Sequence, residues 1–376
     1  MRALALPLAA WALCACTAGA GNFGWHSGQD EPVPSPLVPA WSARLYELGP
    51  IPYDPQDHAA PATDRKGEVV VSGAGDGMVR AWVATSGREL WSYEMHEAVV
   101  SAPLVTGDTV LVGSLDGYVA RLDLETGAEA WSYDTQGAVR ATPAEMGGRV
   151  FATNDLNRVM AVDGETGKHL WHKQRPHQRE FTITGHAGVL AHGGVLYTGF
   201  SDGMLQALAP EDGATVWSRF LGERQDEFVD VDTTPVLASG TLYAAAYRGG
   251  LHALDPATGD VRWRHPVEGC SEPVVRAGRI YVTTAARELL VLAEADGALL
   301  ARTTFQTGSL SRPVVVGPWV LVGTGGALAV VSSGTGRVRD LWTTYDGISA
   351  PPATARGRLF VVSNGGMLQA MNIVRP

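Results

Sequence analysis

A tryptophan that returns at nearly fixed intervals constrains this chain more than any other feature. The stretch LDGYVARLDLETGAEAW (115–131) recurs with variations, and its closing tryptophan falls at Trp91, Trp131, Trp171, Trp217 and Trp263, with spacings of 40, 40, 46 and 46. Two further units continue it imperfectly: Ala301 takes the tryptophan's place in one, and Trp342 is displaced by two residues in the next. Units open with an apolar run, often after a proline such as Pro103, Pro143, Pro235, Pro273, Pro313 or Pro352. A period of about 40–45 residues with several short strands per unit is the signature of a β-propeller.

Within one unit, VLVG (110–113) and VARL (119–122) are short β-rich runs. Asp116-Gly117 between them supplies the positive φ that a two-residue hairpin needs, and Thr126-Gly127 does the same one hairpin later. Each unit thus reads as four antiparallel strands, with the tryptophan on the outer one, where its area packs against the neighbouring blade. The 172 residues from Trp91 to Trp263 make four units of 43, and the 336 residues after position 40 then make nearly eight. The last unit stops after its third strand, whereas an orphan outer strand, WSARLY (41–46), stands at the other end of the chain. The sequence therefore predicts an all-β, eight-bladed propeller over 41–376 whose N-terminal strand, carrying Trp41, completes the eighth blade and leaves no open edge.

Composition narrows the function classes. Glycine makes up 45 of 376 residues, which suits many tight turns but has no three-residue period, so collagen is excluded. An apolar fraction of 45% with 18% charged residues excludes a disordered chain. A net charge of −10 lacks the basic footprint of a general nucleic-acid binder. No segment is long and apolar enough for a membrane span, but the first fifteen residues read as a signal peptide. Leu13-Cys14-Ala15-Cys16 resembles a bacterial lipobox, which makes Cys16 the lipidated first residue of the mature chain. Residues 16–40, rich in Gly, Ser and Pro, then read as a tether. Thr17 after that cysteine is not the Asp that retains enterobacterial lipoproteins at the inner membrane, so the resemblance implies the periplasmic leaflet of the outer membrane. Processing leaves Cys270 as the single cysteine besides Cys16, without a disulfide partner.

Several motifs that resemble chemical sites read better as scaffold. Gly73-Ala-Gly75-Asp-Gly77 sits at a hairpin and precedes a strand, where a phosphate loop needs a helix. The Asp of each Asp-Gly pair reads as a turn former, not a Ca²⁺ ligand. His169 and His172 would point to opposite faces of a regular strand, which argues against a shared metal. The repeat itself resembles the pyrroloquinoline quinone (PQQ) propeller repeat. Enzymes of that type stack the cofactor on a disulfide between adjacent cysteines, and no adjacent cysteine pair exists here. No cofactor, metal or catalytic residue is therefore expected, and a PQQ-dependent oxidoreductase is the weaker alternative.

The two 46-residue intervals hold the informative departures. One contains HKQRPHQREFTITG (172–185) and the other FLGERQDEFVDVDTTP (220–235), both between an outer strand and the next inner strand. In an antiparallel blade these connections share a face with the Asp-Gly turns, so two long loops neighbour each other on successive blades. Glu223, Asp226, Glu227, Asp230 and Asp232 form an acidic stretch beside apolar Phe181 and Ile183, an arrangement suited to protein docking. Alternation along an extended chain puts Asp230 and Asp232 on one side and Val231 on the other.

The stretch RQDEFVDVDTTP (224–235), continuing through LYAAAYRGGLHALD (242–255), closely resembles the outer-membrane assembly lipoprotein family BamB. That resemblance implies an eight-bladed propeller, a lipid anchor in the outer membrane and a non-enzymatic role in the β-barrel assembly machinery. It further implies a monomer within a complex, docked on the periplasmic POTRA repeats of the barrel-forming protein. Carried over residue by residue, the partner contacts are Phe181, Ile183, Asp230 and Asp232. The family often has Arg where this chain has Thr184, which puts one charged contact in doubt. A propeller lipoprotein that binds another envelope protein is the competing reading.

Overall fold

The computed structural model describes residues 35–47, 59–176, 187–222, 228–344 and 346–374. These fold into eight four-stranded antiparallel sheets, each a blade of a propeller. Blades 1 to 7 are continuous in sequence, at 62–94, 104–134, 144–174, 190–220, 236–265, 274–304 and 314–343. Blade 8 joins the two ends of the chain: the strands at 353–373 take Leu37–Arg44 as their outer strand. Leu37 pairs with Ile373 and Arg44 with Met367, so the closing strand is paired from end to end apart from a bulge at Ala40. This strand begins at Leu37, inside the segment read from sequence as tether, so the propeller starts there and not at residue 41.

Blade 2 illustrates the unit. Its inner strand is Leu104–Thr106, its second Thr109–Gly113, its third Tyr118–Asp123 and its outer Glu129–Asp134. Second and third strands are buried on both faces, whereas the outer strand alternates between buried and exposed. The core is accordingly not central. It consists of seams between blades, such as Val71, Val79 and Ala81 of blade 1 against Val110, Val112 and Ala120 of blade 2.

The tryptophans lock these seams. Trp91 lies under the turn between the third and outer strands of blade 2 and donates its indole N–H to the Leu124 carbonyl at 2.8 Å. Trp131 reaches Gly164 O at 2.9 Å, Trp171 reaches Pro210 O at 3.0 Å, Trp217 reaches Pro256 O at 2.9 Å, and Trp263 reaches Glu294 O at 3.3 Å. Trp41 of the closing strand does the same to Ala84 O of blade 1, at 3.0 Å. The turn glycine above each ring is required twice over. Gly127 has φ +73°, and a Cβ there would stand 2.6 Å from the Trp91 ring. Ala301 breaks this series, and Thr303 compensates by donating its hydroxyl to Gly336 O. In blade 7 the register position belongs to Asp340, and Trp342 stands two residues on, packed into the seam with blade 8.

Each outer strand also carries a β-bulge, and this corrects one expectation. In blade 3, Val162 pairs with His169 and Ala161 with Trp171, so Leu170 is the extra residue. The bulge resets the alternation. His169 and His172 therefore face the same side, with His169 Nε2 and His172 Nδ1 3.1 Å apart, not opposite sides.

Two substitutions test the seam lock. Trp131→Ala should cost about 3–5 kcal/mol of stability in urea unfolding. Gly127→Ala should cost about 1–3 kcal/mol more than Gly107→Ala, because both have positive φ but only Gly127 meets a ring.

Candidate functional site on the loops after blades 3 and 4

The two over-long connections run from the outer strand of blade 3 to blade 4 and from the outer strand of blade 4 to blade 5. Their described residues touch the Asp-Gly turn of blade 4: a Cβ on Gly203 would meet Val229 of the second connection, and Arg175 at the start of the first pairs with Asp202. That turn behaves as a turn, since Asp202 Oδ1 accepts the Met204 N–H at 3.2 Å. Gly73 to Gly77 likewise form a hairpin end, followed by the strand Met78–Val83. Phe181, Ile183, Thr184, Glu223, Asp226, Glu227 and the lipobox Cys16 lie outside the described residues.

The Asp230-Val231-Asp232 segment is built on a framework that other blades share. Val231 N–H donates to Phe200 O at 3.1 Å, as Val99 does to Ala74 O and Val139 to Ser114 O, each at 3.0 Å. In each case the side chain enters a seam opened by a glycine: Gly199 for Val231, Gly73 for Val99 and Gly113 for Val139. The Asp230 carbonyl then accepts the Tyr247 N–H at 2.9 Å, where Ala98 and Ala138 accept Leu115 and Asp155 N–H at 3.0 Å. The backbone is thus ordinary for this fold. What differs is the pair of carboxylates, since Asp230 occupies the place of Ala98 and Ala138.

Asp230 is buried and Asp232 half-buried, so neither carboxylate is fully exposed. Asp230 is 4% exposed and Val231 1%, and the Asp232 Oδ1 is buried without a hydrogen-bond partner among the described residues. Val231 enters the seam beside Gly199, with the two aspartates flanking it in sequence. Burial, reinforced by the neighbouring charge of Asp230, pushes the Asp232 carboxyl up to about 7. The buried Cys270 thiol is held above its ordinary value by its own burial and by Asp232.

The surroundings of this pair are aromatic and cationic: Phe200 is buried, Arg175, Phe228 and Tyr247 are half-buried, and Arg248 is exposed. Arg175, just after blade 3, holds Asp202 of the blade 4 turn at 2.6 Å and lies over the Phe200 ring at 5.6 Å. Ser201 N–H donates to Asn157 Oδ1 at 3.1 Å, which ties the blade 3 and blade 4 turns together. On the blade 5 side, Phe228 meets Tyr247 edge-on at 6.4 Å, and Arg248 covers Phe228 at 5.7 Å. Sequence reading passed over Phe228, Tyr247 and Arg248. Their signal was present as an aromatic and an arginine flanking the acidic run, but their juxtaposition depends on the blade-to-blade stagger. Among the described residues no three His, Cys, Asp or Glu side chains cluster as a metal site.

The titration of Asp232 gives a measurable consequence. Its folded value, about 7, lies above the 3.8 of the free side chain. Its contribution is fully favourable below pH 3.8, is lost as pH rises toward 7, and stays lost above. Asp232→Asn removes that cost. Its melting temperature should exceed that of the parent at pH 8, and the gap should close as pH falls to 4.5.

A family model described as "Outer membrane protein assembly factor BamB" matches residues 19–137, 75–298 and 286–375. Among curated relatives, the BamB proteins of Legionella pneumophila (strain Paris) and Escherichia coli (strain K12) are each 26% identical over 186 residues. These alignments cover 48% of both chains for Legionella and 47% of both for Escherichia, so the chain spans about half the length of the curated relatives it matches. The crystal structure of BamB from Moraxella catarrhalis superposes with a TM-score of 0.78 at 21% identity, over 89% of this chain and 99% of that one. A quinohemoprotein alcohol dehydrogenase from Pseudomonas putida superposes with a TM-score of 0.71 at 16% identity, over 90% of this chain and 76% of that one, a likeness of fold alone. The eight-bladed ring and the family match, which runs over most of the sequence, place this chain in the BamB family of outer membrane protein assembly factors.

Proposed function

We propose that the chain is a non-enzymatic scaffold of outer-membrane protein assembly. In this reading it is anchored by lipid at Cys16 in the periplasmic leaflet and docks the periplasmic POTRA repeats of the barrel-forming protein. The docking face is the one carrying the loops after blades 3 and 4. Family membership supports the assembly role. The observation that carries the site is the Asp230/Asp232 pair: Asp230, buried, stands where the connections after blades 1 and 2 place Ala98 and Ala138, and Asp232, half-buried, has an Oδ1 with no hydrogen-bond partner among the described residues.

Burial, full for Asp230 and partial for Asp232, gives the two aspartates a shaping role. A buried carboxylate beneath a loop fixes the loop's path, and the partner then meets the rim: Phe228, Tyr247 and Arg248, with Phe181 and Ile183 from the neighbouring connection. Aromatic and arginine anchors are the side chains that usually dominate docking energy. Acidic residues elsewhere on the loops set orientation and encounter rate.

The test is capture of the barrel-forming protein from solubilised outer membrane, read by mass spectrometry. Asp230→Ala with Asp232→Ala should weaken capture by roughly 30-fold, about 2 kcal/mol, with the circular dichroism unchanged. Asp232→Asn, which keeps shape and loses charge, should retain capture. Undiminished capture by the double alanine variant contradicts the site. Capture of a different envelope protein, with the same sensitivity, points to the competing reading.

A further inference from the structure

The outer strand of blade 3 holds a pair of histidines that no part of the docking reading uses. His169 and His172 are both exposed, on the rim of the disk away from the loop face's aspartates. Their rings meet at 62° with centroids 5.3 Å apart, and His169 Nε2 stands 3.1 Å from His172 Nδ1. The fold brings them together. The bulge at Leu170 puts the residue two before the blade tryptophan beside the residue one after it. Blade 2 does the same with other side chains, where Ser132 Oγ donates to Glu129 Oε1 at 2.9 Å. In blade 3 the two positions are both imidazoles, and Tyr133 of blade 2 stacks on His169 at 27° and 6.2 Å, fixing its plane.

The geometry points to a surface chelate site for a divalent first-row transition ion with imidazole preference, the class of Cu²⁺, Ni²⁺ and Zn²⁺. An imidazole nitrogen binds such an ion at about 2.0–2.1 Å. Two nitrogens 3.1 Å apart then subtend about 98° at the ion, between the square-planar and tetrahedral angles. His169 binds through Nε2 and His172 through Nδ1, each as a neutral ring with its proton on the outward nitrogen. The ring that now donates between them moves that proton to its other nitrogen through solvent, so no net proton is lost. With two protein ligands, water fills the remaining positions. The site is independent of the docking reading and of the residues that carry it.

Calorimetric titration of the full chain with Cu²⁺ alone, and separately with Zn²⁺, tests it. One chelate site should appear in the parent protein. His169→Asn and His172→Asn should each lower its affinity at least tenfold, because a chelate becomes a single ligand. His192→Asn, on an exposed position of blade 4, should leave it unchanged. The electron paramagnetic resonance of bound Cu²⁺ should lose coupling to one nitrogen in either variant. Both variants alter exposed positions, and circular dichroism checks that they fold. Titration curves of His172→Asn that superpose on those of the parent, or the absence of any site in the parent, overturn the proposal.

Discussion

Everything in this propeller rests on an indole ring lying beneath the turn of the next blade. The contact combines three requirements at one place. It needs a large flat side chain on the outer strand, a glycine with positive φ above it, and a backbone carbonyl to receive the indole N–H. Each part depends on the next blade, so no blade satisfies itself. A four-stranded sheet with most of its second and third strands buried on both faces is stable only in the ring, and the chain's recurring tryptophans are the sequence record of that dependence. Where the tryptophan is missing, at Ala301, a threonine hydroxyl two residues on supplies the polar half of the contact and not the apolar half.

Closure follows from the same rule. Trp41 docks on blade 1 as the other tryptophans dock on their neighbours, so the N-terminal strand seals blade 8 to blade 1 and blade 8 to itself. A ring closed in this way leaves only the short inner and outer strands of its blades as sheet edges, and its loops are held from several sides. Within that ring Val231 is drawn into the seam at Gly199, and its neighbour Asp230 is buried with it. Arg175, Asn157 and Ser201 then tie blades 3 and 4 together at the rim.

Most of this architecture was legible in the sequence, because it depends on spacing and on turn chemistry. The Trp period and the blade count survive in the structure; the Asp-Gly and Thr-Gly glycines keep their positive φ but in connections longer than two residues, and the orphan strand runs over Leu37–Arg44. The displacement of Trp342 was also readable, as a break in period. The misplaced faces of one pair came from counting alternation along an extended chain. His169 and His172 were assigned to opposite sides because a bulge leaves no mark in spacing alone. The burial of Asp230 was not legible, because an acidic run reads as solvated. Whether such a run is buried depends on Gly199 and Val231 meeting across a seam, and that is a property of two blades at once.

The blade-to-blade picture gives the family's scaffold a physical sense: a disk rigid enough to present loops, with the specific chemistry confined to departures from the repeat. Its central claim, closure of the ring by Leu37–Arg44, is open to native-state hydrogen exchange read by mass spectrometry. If that strand is an integral blade member, its amides should exchange as slowly as those of Met367–Ile373 and should open with them in one cooperative event. Exchange of 37–44 within seconds, while Met367–Ile373 remains protected, would contradict closure.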